Sequence, residues 1–123
     1  MGGPGGVANF ALAAQVLPAT SSGLLDLLST RGEEIRDLIE RGQLGAVYVP
    51  ALLGKDAALA LDDHAGDLPD HRRSQAVRAV RRIVLAAWQL DAFGDLGDRE
   101  KVTSAYDLYA SAIGELKAAY ATR

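Results

Sequence analysis

A helical spacing of apolar residues, which begins near Ser22 and continues to the C-terminus, limits the fold more than any other feature. Apolar residues recur at three- and four-residue steps in four segments, as Leu24, Leu28 and Ile35 do in the first. Each segment is long enough for a helix of about 30 Å, and short connections force sequence neighbours to pack antiparallel. We therefore predict an all-α chain folded as an antiparallel up-down-up-down four-helix bundle with a short N-terminal apolar extension.

Composition supports one helical domain. The 123 residues are 49% hydrophobic, which is enough for a single core, and only 6% aromatic, which favours packed helices over a sheet sandwich. We place the bundle at residues 23–123 and predict that residues 1–22 form a flexible tail with a short apolar helix. This helix would lie on the bundle or on a neighbouring subunit.

The N-terminal segment "MGGPGGVANFALAAQVLPATSSG" contains no charged side chain. A secretory signal needs a basic region before its apolar run, and "VANFALAAQVL" has none. The run is also too short to cross a bilayer. We expect neither a complete signal nor a membrane span.

Local residue patterns predict where the helices begin and end. Ser21 or Ser22 can cap the first helix and Gly42 can end it, while Pro50 fits the first turn of the second helix or a kink. In "DAFGDLGDRE" the aspartate spacing does not match a calcium-binding EF-hand loop. We predict that Gly94 ends the third helix and that Asp95 or Asp98 caps the fourth.

The charge balance argues against nucleic-acid binding. The net charge is -3, whereas nucleic-acid binders carry a concentrated basic surface. The arginines of the third helix form one basic cluster, and we expect them to face the acids of the first helix. Trp88 lies beside the core stripe of the third helix, where it marks an edge or an interface or, as we expect, is buried.

The acidic stretch "LDDHAGDLPDH" contains the candidate metal ligands. Imidazole and carboxylate groups bind divalent transition metals, so Asp63, His64, Asp67 and His71 form a candidate site. The two histidines are seven residues apart, which does not place both rings on one helical face. A solvated turn between helices therefore competes with weak binding of a divalent transition metal.

Catalytic signals are weak in the sequence. Apart from Ser74, which follows His71 by three residues, no serine or threonine has a histidine at a helical neighbour position. The stretch "LLDLLSTRGEEI" is similar to the first helix of all-helical chorismate mutases, but Gln15, Gly32 and Gln43 stand where that family has cationic residues. We expect the chain not to be an enzyme.

A second resemblance extends from about Gly23 to Tyr120. The succession "GQL-AV", "LP" and "LD-FGD-GD" at the three turns resembles small exported helical domains of unknown function that accompany bacterial heavy-metal resistance and efflux components. Such relatives often have a histidine where this chain has Tyr48. The resemblance implies a periplasmic or envelope location and an accessory role in metal binding or in contact with an efflux protein.

Three functions follow as hypotheses. The first is a non-enzymatic accessory protein linked to heavy-metal resistance, periplasmic rather than cytoplasmic. The second is a protein-interaction module without metal, which binds a protein partner or self-associates as a homodimer through Trp88, Tyr109 or the N-terminal apolar run. The third and least favoured is a ligand-binding or enzymatic bundle, which would need a cavity in its core.

Overall fold

A computed structural model describes residues 15–121, which form four α-helices. The helices are α1 (Ser21–Glu40), α2 (Tyr48–Asp62), α3 (Asp70–Asp95) and α4 (Arg99–Tyr120). Single 3₁₀ turns, Leu44–Ala46 and Ala65–Asp67, occupy the first two connections. This part of the chain contains no strand, so the prediction of an all-α four-helix fold is confirmed.

Each helix packs against its neighbours in sequence, and α4 also packs against α1. Arg82 of α3 pairs with Glu115 of α4, while Arg72, earlier in α3, donates to the carbonyl of Ala121, just beyond α4. These contacts show that α3 and α4 run in opposite directions. Tyr109 and Tyr120 of α4 donate to carbonyl oxygens in the same order along α2, so those two helices point the same way.

The core is built from large aliphatic side chains separated by alanines. Small residues let helix backbones approach closely, and the aliphatic residues fill the remaining space. The largest fully buried side chains include Leu24, Leu28, Ile35, Leu61, Ile83, Leu90, Tyr109 and Leu116.

Short-range caps fix the ends of α1. The Thr20 hydroxyl accepts the amide of Gly23 at 3.0 Å, so the cap lies one residue before the predicted serines. At the other end Gly42 has a φ of 75°, and the Gln43 amide donates to the carbonyl of Leu38. This is the glycine-terminated ending that the sequence predicted. Pro50 lies in the first turn of α2, which is one of the two alternatives that the sequence predicted.

The prediction that Gly94 ends the third helix is wrong. Gly97 has the positive φ, 69°, and the Asp98 amide donates to the carbonyl of Phe93 at 3.0 Å. Gly94 is buried inside α3, where an added Cβ would overlap the carbonyl oxygen of Leu44. Asp98 accepts the amide of Lys101 at 3.1 Å, which confirms it as the cap of α4.

Only part of the predicted N-terminal extension falls within the described residues. Residues 7–14, most of the predicted apolar helix, lie outside the described residues. Residues 15–20 are not helical, and α1 begins at Ser21, two residues before the predicted start of the bundle.

One stretch has the length and composition of a membrane-crossing helix. Leu44–Asp62 has 19 residues and a mean hydropathy of 1.4, and 44% of its apolar window is buried inside the bundle. The core helix of a soluble protein passes the same test. The absence of a membrane span stays a prediction.

Candidate functional site

The four predicted metal ligands lie around the turn between α2 and α3. Asp63, Asp67 and His71 are exposed and His64 is half-buried. Among residues 15–121, no three histidine, aspartate or glutamate side chains lie close enough together to hold a metal ion. The structure therefore does not gather these ligands into a site, because the sequence between the histidines spans a 3₁₀ turn and the start of a new helix. Weak binding of a divalent metal here stays a prediction.

Arg73 is the residue that makes most of the side-chain contacts at this turn. Its guanidinium donates to the carbonyl of Ala65 at 3.3 Å and to that of Leu68 at 3.0 Å. The same group pairs with Asp70 at 3.2 Å. The arginine thus links the turn to the first turn of α3.

We predicted that the arginines of α3 face the acids of α1. This is wrong for the α3 arginines that make a side-chain contact within residues 15–121. Arg82 reaches Glu115 of α4, and Arg72 reaches the chain just after α4. The acids Glu34, Asp37 and Glu40 pair with arginines of α1 itself or of the turn that follows it. The reason is position: α3 packs on α2 and α4 and lies across the bundle from α1.

The sequence led us to expect a buried Trp88, and this expectation is wrong. Its side chain is 51% exposed, and the ammonium of Lys55 lies 5.2 Å from the ring centroid. This contact joins the outer sides of α2 and α3. The alternative interpretation, an edge or an interface, is the one that the geometry favours.

Around Trp88 the outer sides of α2 and α3 form a mixed apolar and charged surface. Leu59 is 46% exposed and Leu85 is 52% exposed. Leu59 borders a groove whose other walls are Asp62, Val77, Val80, Arg81 and Val84. We call this surface the α2–α3 face; it consists of Lys55, Leu59, Asp62, Val77, Arg81, Val84, Leu85 and Trp88.

Neither Leu59 nor Leu85 was identified from the sequence as a surface residue. Periodicity alone groups Leu59 with the other apolar residues of α2, because adjacent rows of a helix differ little in angle. A usable signal was present: charged residues share its row, with Lys55 four positions before and Asp62 three after. A core row does not normally alternate with charges.

The centre of the bundle is occupied by Tyr109. Its side chain is fully buried, and its hydroxyl donates to the carbonyl of Ala51 at 3.2 Å. Burial raises the pKa of Tyr109 well above its usual range, although Arg31 opposes this shift. A neutral phenol bonded to a helix carbonyl has a structural role, as a filler between α2 and α4.

Comparisons with known proteins supply no function that could be carried over. No protein-family model matches the chain, and neither the curated proteins nor the solved structures give a match. The link to heavy-metal resistance therefore stays a prediction from the sequence.

Proposed function

We propose that this chain is a non-enzymatic interaction module that pairs with a second copy of itself through the α2–α3 face. The observation behind the proposal is the exposure of Leu59 on α2 and of Leu85 and Trp88 on α3, two helices that pack against each other. Burying apolar surface stabilises a complex by about 25 cal/mol per Å² before the costs of association. Contiguous exposed apolar patches are typical of interaction sites.

The charges of the face make it complementary to itself. On α2, Lys55 and Asp62 lie on either side of Leu59. A two-fold axis that crosses α2 at Leu59 sets the helix against an antiparallel copy. Lys55 of one copy then faces Asp62 of the other, and the reverse pair forms by symmetry.

The same axis pairs the α3 helices. Trp88 and Arg81 lie on either side of Val84 and Leu85, so the guanidinium of one copy stacks on the exposed indole of the other. Arg81 has no acidic partner within 4.0 Å among residues 15–121, so this contact breaks no ion pair there. A self-complementary patch closes after two copies and produces a dimer.

The first test is the mass of the full-length chain in solution across a concentration series, by sedimentation. We expect a dimer, and we expect Leu59→Glu to convert it to a monomer because two carboxylates would meet at the axis. Leu96→Glu is the matched control, since Leu96 is 78% exposed but lies at the turn between α3 and α4. A monomeric wild-type chain at high concentration would overturn the proposal.

A charge exchange tests the register. Lys55→Asp and Asp62→Lys should each weaken the dimer, because each brings like charges together, and the double variant should restore it. Weakening without restoration would rule out the antiparallel α2 pair. The proposal keeps the accessory role that the sequence resemblance implies, and it requires no metal.

A further inference from the structure

Residues Gln15–Thr20, which we call the strap, are pinned to the bundle at both ends. Gln15 makes the first anchor: its amide nitrogen donates to the carbonyl of Leu53 at 3.1 Å. Its amide oxygen accepts from Nε and Nη2 of Arg31 at 3.1 and 2.9 Å. One side chain thus links the strap to both α1 and α2.

The second anchor is the start of α1. A Cβ added to Gly23 would lie 2.7 Å from Cβ of Pro18, so the proline ring rests directly on the glycine. Thr20 then caps the helix through its hydroxyl. The strap is therefore fixed before and after its middle residues.

Between the anchors, the strap presents apolar side chains to solvent. Val16 is 87% exposed and Leu17 is 40% exposed. Leu17 borders a shallow depression together with Leu59 and Ala60 of α2, and Leu59 also borders the groove of the α2–α3 face. The depression is also lined by Gln15, Asp56 and Asp63. The strap and the face therefore meet at Leu59 and form one continuous surface of apolar and charged residues.

We infer that the strap is part of the pairing surface, with Gln15 as the positioning residue that holds Leu17 against the second copy. This inference rests on the proposed pairing. Leu17 lies at the level of Leu59, where the two-fold axis crosses α2, so the two Leu17 side chains approach each other at the rim of the interface. An anchored strap adds this contact without the entropy cost of ordering a loose segment.

The test measures the dimer dissociation constant and the melting temperature of full-length variants. Leu17→Asp and Gln15→Ala should each raise the dissociation constant by about tenfold, equivalent to about 1.4 kcal/mol. Ala19→Asp is the matched control, because Ala19 is exposed in the same strap but does not border the depression. Gln15→Ala should add little in the Leu17→Asp background if it acts by positioning Leu17.

The outcomes separate this inference from the proposal beneath it. If Leu59→Glu abolishes the dimer while Leu17→Asp and Gln15→Ala leave the dissociation constant unchanged, the strap inference fails and the pairing stands. If Gln15→Ala weakens the dimer equally in the wild-type and Leu17→Asp backgrounds, it does not act through Leu17 and the inference fails. A wild-type monomer removes both.

Discussion

The inner and outer sides of α2 differ sharply, although the neighbouring residues Gly54 and Lys55 lie on opposite sides. On the inner side, Gly54 lies directly against Tyr109 with no room for another atom. On the outer side, Lys55 and Leu59 border a surface that is open to solvent. Packing within the bundle explains the inner side, whereas on the outer side folding leaves apolar area exposed. This difference is our reason for locating function on the outside of the bundle.

Gly54→Ala should produce the largest effect on stability. The new Cβ would overlap the hydroxyl oxygen of Tyr109 and would lie 3.1 Å from the ring carbon that carries it. We expect a loss of about 1–3 kcal/mol of unfolding free energy from overpacking, despite the better helix propensity of alanine. Urea denaturation measures the loss.

Tyr109→Phe supplies the matched background, because it removes the atom nearest to the added Cβ. Alone it should cost about 1 kcal/mol, through the lost bond to Ala51. In that background Gly54→Ala should cost clearly less than in the wild type. If Gly54→Ala lowers the unfolding free energy equally in both backgrounds, the Tyr109 hydroxyl is not what excludes a side chain at position 54.

A smaller effect is expected from alkaline pH. Burial raises the pKa of Tyr109 in the folded state, so its stabilisation is fully present below about pH 10, the unfolded pKa. The stabilisation is lost as the pH rises towards the folded pKa, by at most about 1.4 kcal/mol per pH unit. Tyr120, whose pKa is also raised by burial, contributes in the same direction.

Unfolding free energies of the wild type and Tyr109→Phe between about pH 9 and pH 11, on either side of the ordinary tyrosine pKa, check this prediction. The wild type should lose more stability over this range, because it carries one more buried phenol. Parallel pH profiles for the two proteins would contradict the buried, neutral state of Tyr109.

The smallest effect on stability is expected on the outer side. Leu85→Gln should change the unfolding free energy of the monomer by no more than about 0.5 kcal/mol, because the side chain is 52% exposed. The measurement belongs at concentrations below the dimer dissociation constant, since dimerisation itself stabilises the folded state. A loss as large as that of Gly54→Ala would abolish the contrast between the two sides.

Local signals in the sequence were sufficient for several structural features and insufficient for others. Gly42 and Asp98 were predictable because a helix end depends on a few neighbouring residues. Gly94 and Gly97 lie three residues apart, and either could have ended α3 by local rules. The close approach of the Leu44 carbonyl requires a glycine at position 94, and only the folded bundle contains that contact.

The candidate site divides in the same way. The sequence identified Trp88 as a possible interface residue, but it could not show that Leu59 lies beside the same groove or that Leu17 reaches Leu59. It grouped Asp63, His64, Asp67 and His71 because they are close in the chain. In residues 15–121, however, no three potential ligands lie close enough together to hold a metal ion.

The sequence by itself determined the four helices of residues 15–121 and most of their ends, because periodicity and capping act over one or two turns of chain. Tertiary structure decided which side of each helix remained exposed and which charges met, such as Arg82 with Glu115. These outcomes depend on the rotation of each helix about its axis and on which helices are neighbours. Both are set by the packing of all four helices at once.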